Sequence, residues 1–240
     1  MLSKREIKDI QSLSHKKFRD ELNLFVAEGP KVVGELIELI PQQIEKVYAV
    51  ENWLQNHESR GVSTIEINNI ELEKLSQLQT PNQVIAVVKK LPPANPGAST
   101  FTLYLDTIQD PGNLGTIIRI ADWFGVRDIV CSAGCADLYN PKVVQATMAS
   151  IARVNVFYDQ EGDWLKGKKV PVYAAALDGK SLYEEQKTTK GILVIGNESK
   201  GLSEETLRYA TERITIPRKG EAESLNAAVA TGIILSHLLS

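Results

Sequence analysis

The chain reads as an α/β protein: a mostly parallel sheet with helices on both faces in its second half, preceded by a small α/β domain. Two observations predict this. From Phe101 onward, short apolar runs that suit strands buried on both faces alternate with segments of helical period. Before that, Leu91-Pro-Pro-Ala-Asn-Pro-Gly-Ala-Ser-Thr100 cannot continue a helix or a central strand, so a domain boundary falls there. We expect an N-terminal α/β domain over 1–90, a linker over 91–100 and a larger domain over 101–240.

The elements follow in order. Ile7, Ile10 and Leu13 recur at helical spacing, Leu24 to Ala27 is strand-like, and Val32 to Ile40 forms a helix opened by Gly29-Pro30. Val47 to Val50, Ser63 to Ile67 and Val84 to Val88 are further strands, with Asn68 to Leu78 helical between the last two. Beyond the linker, strands are expected at Phe101–Leu105, Asp128–Cys131, Val170–Ala175, Gly191–Ile195 and Arg213–Ile216. Helices are expected at Thr116–Phe124, Pro141–Ser150, Ser203–Tyr209 and Leu225–Leu239. There is no internal repeat.

Composition bounds the function. Hydrophobic residues make up 43% and charged residues 24%, enough for a packed core. A formal charge of −3 argues against a protein that coats nucleic acid non-specifically. The charged start, Met1-Leu-Ser-Lys-Arg-Glu, lacks the apolar stretch of a signal peptide, and the longest apolar run, Leu225 to Leu239, is too short to span a bilayer. A cytoplasmic protein is expected. Cys131 and Cys135 have metal-like spacing but no neighbouring Cys or His pair, so they are read as reduced thiols and no metal site is expected.

Three strand-to-loop exits carry the candidate chemistry, and in an α/β protein such exits converge on one composite site. In the first, Asp110-Pro-Gly-Asn113-Leu-Gly115, Asn113 can cap the coming helix. The loop is neither a dinucleotide fingerprint nor a phosphate loop, which removes a nucleotide-dependent oxidoreductase from contention. Arg119 lies among Ile117, Ile118 and Ile120, and either pairs with Asp122 or points to a phosphate or ribose at the sheet edge. In the second exit, Gly196-Asn-Glu-Ser-Lys-Gly201, Gly196 allows close approach of a ligand and Gly201 permits a positive φ. Asn197 and Glu198 have no capping task there. In the third, Ile216 to Asn226, Ser224 can cap the last helix. Asn226 sits in an apolar first turn, where a ligand or the Asn113 loop would satisfy its amide.

Together these segments resemble the three motifs of the SpoU/TrmH family, the RNA ribose 2′-O-methyltransferases of the SPOUT superfamily. The likeness runs from Leu105 to the C-terminus and rests on Asn113 with Arg119, Gly-Asn-Glu at 196–198 and Ser-Leu-Asn at 224–226. The first ninety residues more loosely resemble the family's N-terminal RNA substrate-binding domain, best at Phe25-Val-Ala-Glu-Gly29. The resemblance implies a C-terminal trefoil knot, one of the rare exceptions to unknotted topology. It also implies a homodimer, and S-adenosylmethionine held by Gly196, Ile216 and Leu225, with Ala175 to Leu177 contributing. Arg119, Asn113, Glu198, Ser224 and Asn226 match the family's catalytic positions. The expected reaction is methyl transfer to a ribose 2′-hydroxyl of structured RNA. Ribosomal RNA is the first choice and transfer RNA the second; an inactive RNA-binding or assembly protein is the alternative. Because a guanidinium stays protonated, Arg119 is expected to stabilise alkoxide charge, and Glu198 or a water to take the proton. In the first helical stretch, Lys16, Lys17 and Arg19 are either phosphate contacts or a solvated helix face.

Overall fold

The computed structural model describes residues 2–97 and 100–239; Met1, Ser240 and two residues of the expected linker, Ala98 and Ser99, lie outside the described residues. In chain order the first stretch runs α1 Lys4–Ser12, α2 Lys16–Leu22, β1 Leu24–Glu28, α3 Pro30–Leu39, β2 Ile44–Ala49, α4 Glu51–Asn56, β3 Thr64–Glu66, α5 Asn69–Leu75 and β4 Val84–Lys89. The second runs β5 Phe101–Asp106, α6 Pro111–Trp123, β6 Asp128–Ser132, α7 Pro141–Thr147, β7 Asn155–Asp159, β8 Val172–Ser181, β9 Gly191–Gly196, α8 Glu204–Leu207, β10 Glu212–Thr215 and α9 Ala227–Leu239. Two compact units result. One runs to Pro92 and adds Asp137–Ala152; the other comprises Pro93–Ala136 and Arg153–Ser240. Helix α7 therefore packs on β1 in the first unit, although strand–helix alternation placed it among the later elements.

The first unit is a four-stranded sheet in the order β1-β4-β2-β3, antiparallel except for the β2–β3 pair. Ile10 and Leu13 of the N-terminal helical segment, Leu72 and Leu75 of α5, and Val26, Tyr48 and Ile85 of the sheet form one core, as the helical and strand periods require. Helix α5 starts with a reciprocal cap, in which the Asn68 side chain accepts from the Glu71 amide and Glu71 accepts from the Asn68 amide. Burial pushes the Glu28 carboxyl up from its ordinary value, although the Ser76 hydroxyl and the Gln77 amide both donate to it.

Arg19 corrects the sequence expectation. It is 2% exposed; its guanidinium donates to the carbonyls of Leu13 and Ser14, both at 2.8 Å, and pairs with Asp137 at 2.6 Å. A side chain so enclosed cannot reach an RNA phosphate. Its charge instead ties α2 to the segment that carries α7. Lys16 and Lys17 remain exposed, Lys16 paired with Asp20 and Lys17 lying 6.0 Å from the Phe18 ring centroid.

The second unit is a six-stranded sheet, β10-β8-β9-β5-β6-β7, with every pair parallel. Leu103, Leu105, Ile129, Leu193 and Val194 are 0% exposed, consistent with helices on both faces. One strand escaped the sequence reading: β7, at the sheet edge, whose Asn155-Val-Phe-Tyr-Asp159 pairs with β6. Beside β10, strand β8 departs from regular pairing. Arg213 faces Ala174 while the next residue, Ile214, faces Lys180, so residues 175–179 bulge out of the ladder.

Replacing Asp137 by Ala leaves the Arg19 guanidinium buried with carbonyl partners only. This costs about 3 kcal/mol, the lower end for breaking a buried ion pair, because the two carbonyl bonds survive. Hydrogen exchange of the β1 and β4 amides measures it, and unchanged protection would show that the pair contributes nothing.

Candidate active site

The strand order brings the first two exits together. β5 lies beside β9 in the parallel sheet, so the loops that leave their carboxyl ends are neighbours. The chain leaves β5 through Asp106 and Thr107 and enters α6 with Asp110 as N-cap, whose carboxylate accepts from the Asn113 amide at 2.8 Å. The cap is therefore Asp110, with Pro111 at the first helical position, and not Asn113 as the sequence suggested. Relieved of that task, the Asn113 side chain reaches sideways. Its Nδ2 donates to Glu198 Oε1, and its Oδ1 accepts from Asn226 Nδ2 at 2.8 Å.

Asn226 answers the question its position posed: the Asn113 loop does satisfy its amide. It also caps α9, because its Oδ1 accepts from the Ala228 and Val229 amides at 3.0 and 3.2 Å. Ser224 was the expected cap. It is exposed and makes no such bond among the described residues, since α9 begins only at Ala227.

The second exit is a tight loop closed by reciprocal backbone bonds between Asn197 and Gly201, at 3.1 and 2.9 Å. The Asn197 side chain accepts from the Ser199 and Lys200 amides and donates to the Thr107 carbonyl at 3.0 Å. Gly201 has φ +69°, as expected. One close approach at Gly196 is made by the protein itself: a Cβ there would lie 2.5 Å from the Gly201 carbonyl carbon.

A cavity of about 640 Å³ lies at the carboxyl ends of β8, β9 and β10. Gly196, Ile216 and Leu225 line it, with Ala175, Ala176 and Leu177, and so do Glu198 and Ser224. The volume is ordinary for a small-molecule site. Its walls are apolar side chains and the backbone of three strand ends, with the carboxylates of Glu198 and Glu223 also present. A mainly apolar cavity of this size fits a nucleoside such as S-adenosylmethionine. Lys200, Arg218 and Lys219, which also line it, are exposed.

Arg119 stands apart. It is exposed and has no side-chain hydrogen bond or ion pair among the described residues. Asp122, its candidate partner, instead accepts from Arg153 at 2.7 Å. Among the described residues no group of three or more His, Cys, Asp or Glu could hold a metal. Cys131 and Cys135 are free thiols, and Cys135 accepts from the Ile108 amide at 3.3 Å.

A parallel α/β domain with an asparagine-linked carboxylate beside a nucleoside-sized cavity defines the class. The particular family follows from comparison. Residues 100–236 match the SpoU rRNA Methylase family and residues 4–86 the MRM3-like substrate binding domain. The chain belongs to the SpoU rRNA methylase family. It is 31% identical, over 98% of its length and 96% of the relative's, to the 23S rRNA (guanosine(2553)-2′-O)-methyltransferase RlmP of Bacillus subtilis (strain 168). It is 27% identical, over 86% and 94% of the two chains, to the 23S rRNA (guanosine-2′-O-)-methyltransferase RlmB of Escherichia coli (strain K12). Among solved structures, a putative RNA methyltransferase of the TrmH family from Porphyromonas gingivalis superposes with TM-score 0.87 at 37% identity, covering 98% of this chain and 97% of that one. The AdoMet-bound rRNA methyltransferase from Sinorhizobium meliloti gives 0.84 at 32%, covering 98% and 94%.

Sequence reasoning missed Asp106, Thr107 and Asp110. Asp110 was legible, because an aspartate before proline is a helix-start signal. Nothing in the sequence marks Thr107 for its φ of +61°.

Because Asn226 both caps α9 and contacts Asn113, two substitutions separate the roles. Asn226→Ala loses about 1 kcal/mol of stability with the cap. Asn226→Ser keeps a capping oxygen but is too short to reach Asn113, so thermal stability returns while the site geometry does not. Equal stability of the two variants would show that the cap contributes nothing.

Proposed function

We propose that this protein transfers a methyl group from S-adenosylmethionine to a ribose 2′-hydroxyl of ribosomal RNA. The observation that carries the reading is Asn113 held between Glu198 and Asn226, with Glu198 also lining the cavity. Ribosomal RNA is favoured over transfer RNA because the relatives matched along most of their length are named for 23S rRNA. A cytoplasmic site of action follows from that substrate.

The bound cofactor supplies an electrophilic methyl on a sulfonium. The chain's own residues do the rest. Gly196, Ile216 and Leu225, with the β8 end, enclose the nucleoside, and the apolar walls keep water from the sulfonium. Asn113 fixes the Glu198 carboxylate, which takes the hydroxyl proton directly or through a water. Holding the acceptor in line can contribute roughly 7–11 kcal/mol to the rate. Arg119 stabilises the developing alkoxide and grips the adjacent phosphate. In the first unit, exposed Lys16 and Lys17 contact RNA phosphates.

Two finer features belong to the same reading. The trefoil knot is carried over from the family resemblance; within this chain, β8 and β10 pack closely at the bulge, where a Cβ on Gly179 would lie 2.6 Å from backbone atoms of Arg213 and Ile214. The homodimer is supported by apolar side chains in solvent on the packed pair α6 and α9, where Trp123 is 85% and Val229 50% exposed. Trp123 lies one turn from Arg119, so a dimer on this face would enclose both.

Purified, unmodified ribosomal RNA should accept labelled methyl on a ribose. Arg119→Ala should lower kcat on the order of 100-fold and Glu198→Gln should lower it with cofactor affinity retained. Lys16→Ala with Lys17→Ala should raise the RNA KM and flatten its salt dependence by about one unit per lysine. Cofactor binding without label on ribosomal or transfer RNA would leave the inactive assembly protein as the better reading.

Light scattering should give twice the monomer mass, and Trp123→Glu should give a monomer; a monomeric wild type removes the dimer.

A further inference from the structure

The loop between β9 and α8 that presents Glu198 is anchored at both ends to two consecutive residues, Asp106 and Thr107, to which the proposed chemistry gives no role. Asp106, 5% exposed at the end of β5, accepts at Oδ2 from the Ser203 amide and the Ser203 hydroxyl, both at 2.8 Å. Its Oδ1 accepts from the Thr107 hydroxyl at 3.0 Å. Thr107 has φ +61°, a left-handed conformation that is a genuine outlier for a β-branched residue and costs on the order of 1–3 kcal/mol. That conformation is held from several sides. The Thr107 amide donates to Ser132 Oγ at 2.9 Å, its carbonyl accepts from Asn197 Nδ2 at 3.0 Å, and its side chain lies against Gly134, where a Cβ would come within 3.0 Å of it. The next amide, of Ile108, donates to Cys135 Sγ, and the Ile108 carbonyl accepts from Ala136 at 2.8 Å.

The two anchors bracket the loop. Asn197 is the first residue after β9 and Ser203 the cap of α8, so the segment that presents Glu198 is fastened at its start to Thr107 and at its end to Asp106. The same turn sends the chain from β5 into α6, which begins at Pro111 and carries Asn113. We infer that Asp106 and Thr107 form a positioning clamp for methyl transfer, which holds the Glu198 loop against Asn113. Neither side chain lines the cavity or touches the catalytic amides, so both act through Ser203 and Asn197.

The alternative is that the clamp is ordinary folding scaffold. A buried carboxylate with three donors stabilises any loop, and its loss would loosen the whole unit. The clamp differs in being local: it fastens one loop to a sheet whose strands are held by their own ladders. Misplacing a catalytic group by about 1 Å can cost on the order of 100-fold in rate.

This inference rests on the methyltransferase reading, so its test carries one readout independent of turnover. In Asp106→Ala, hydrogen exchange on the full chain should show lost protection of the Gly201 and Ser203 amides, while the β5 and β9 amides stay protected. In the transfer assay kcat should fall about 100-fold, with the RNA KM and the cofactor Kd within twofold of wild type. Ser203→Ala, which loses the hydroxyl donor and about 1 kcal/mol of α8 cap but keeps the amide donor, should give a smaller loss in the same direction, and Ser203→Thr should restore activity because it keeps both donors and the cap. The Asp106→Ala and Ser203→Ala losses should not add, since they break one contact. Loop protection unchanged with kcat within twofold would overturn the clamp, as would loss of protection throughout the second unit. If the wild type transfers no methyl, the functional reading falls and exchange alone decides whether the clamp exists.

Discussion

The site depends on the direction in which one amide points. Asn113 has Glu198 on one side, whose carboxylate oxygen accepts its NH₂, and Asn226 on the other. The carbonyl oxygen of Asn226 is already engaged by the Ala228 and Val229 amides, so only its NH₂ can face Asn113. Asn113 must then present its oxygen to Asn226 and its nitrogen to Glu198. The start of α9 thus fixes, through two side-chain amides, the groups around the Glu198 carboxylate. A side-chain assignment that is often ambiguous is settled here by the donor inventory alone.

The sheet order explains why there is a cavity beside this chain of bonds. Strands β5 and β9 are neighbours, so the Asn113 and Glu198 exits meet directly. The third exit leaves β10, three strand spacings from β5 in the order β10-β8-β9-β5, or roughly 14 Å. The chain from β10 to Asn226 could reach about 36 Å if extended, far more than the span requires. It cannot run taut. The slack arches over the carboxyl ends of β8 and β9, and the volume beneath it is the cavity lined by the second and third exits and the end of β8.

The fold was largely legible in the sequence because buried parallel strands and amphipathic helices leave strong periodic signals. The edge strand β7 was missed because it is short and only part-buried. The capping assignments failed for one reason at both places. Asn113 and Ser224 are good capping types, but each stands beside a better-placed one, and a sequence does not reveal which residue starts the helix. Gly196 shows a related limit. The need for glycine was readable, but whether a ligand or the chain itself makes the close approach was not. Arg19 was read by its charge among lysines, whereas its burial depends on Asp137, 118 residues away. Thr107 gave no signal at all, since its conformation is imposed by tertiary bonds.

The two halves of the site differ in what holds them, and the difference bears on how each tolerates change. The cavity is shaped by apolar side chains and by backbone at three strand ends, so it depends on the path of the chain more than on any polar side chain. The side proposed to react is different. Asn113, Glu198 and Asn226 have no substitute of equal reach and hydrogen-bonding capacity, and Asn226 also starts a helix. Drift in sequence can therefore preserve a nucleoside-shaped cavity while the amide chain beside it is lost. A protein of this fold that binds its cofactor without turning it over would arise by that route. In the present chain the amide chain is intact, and the strained turn at Thr107 persists next to it although relaxing that turn would favour the fold. Strain retained beside these three side chains accords with the chemistry proposed for them.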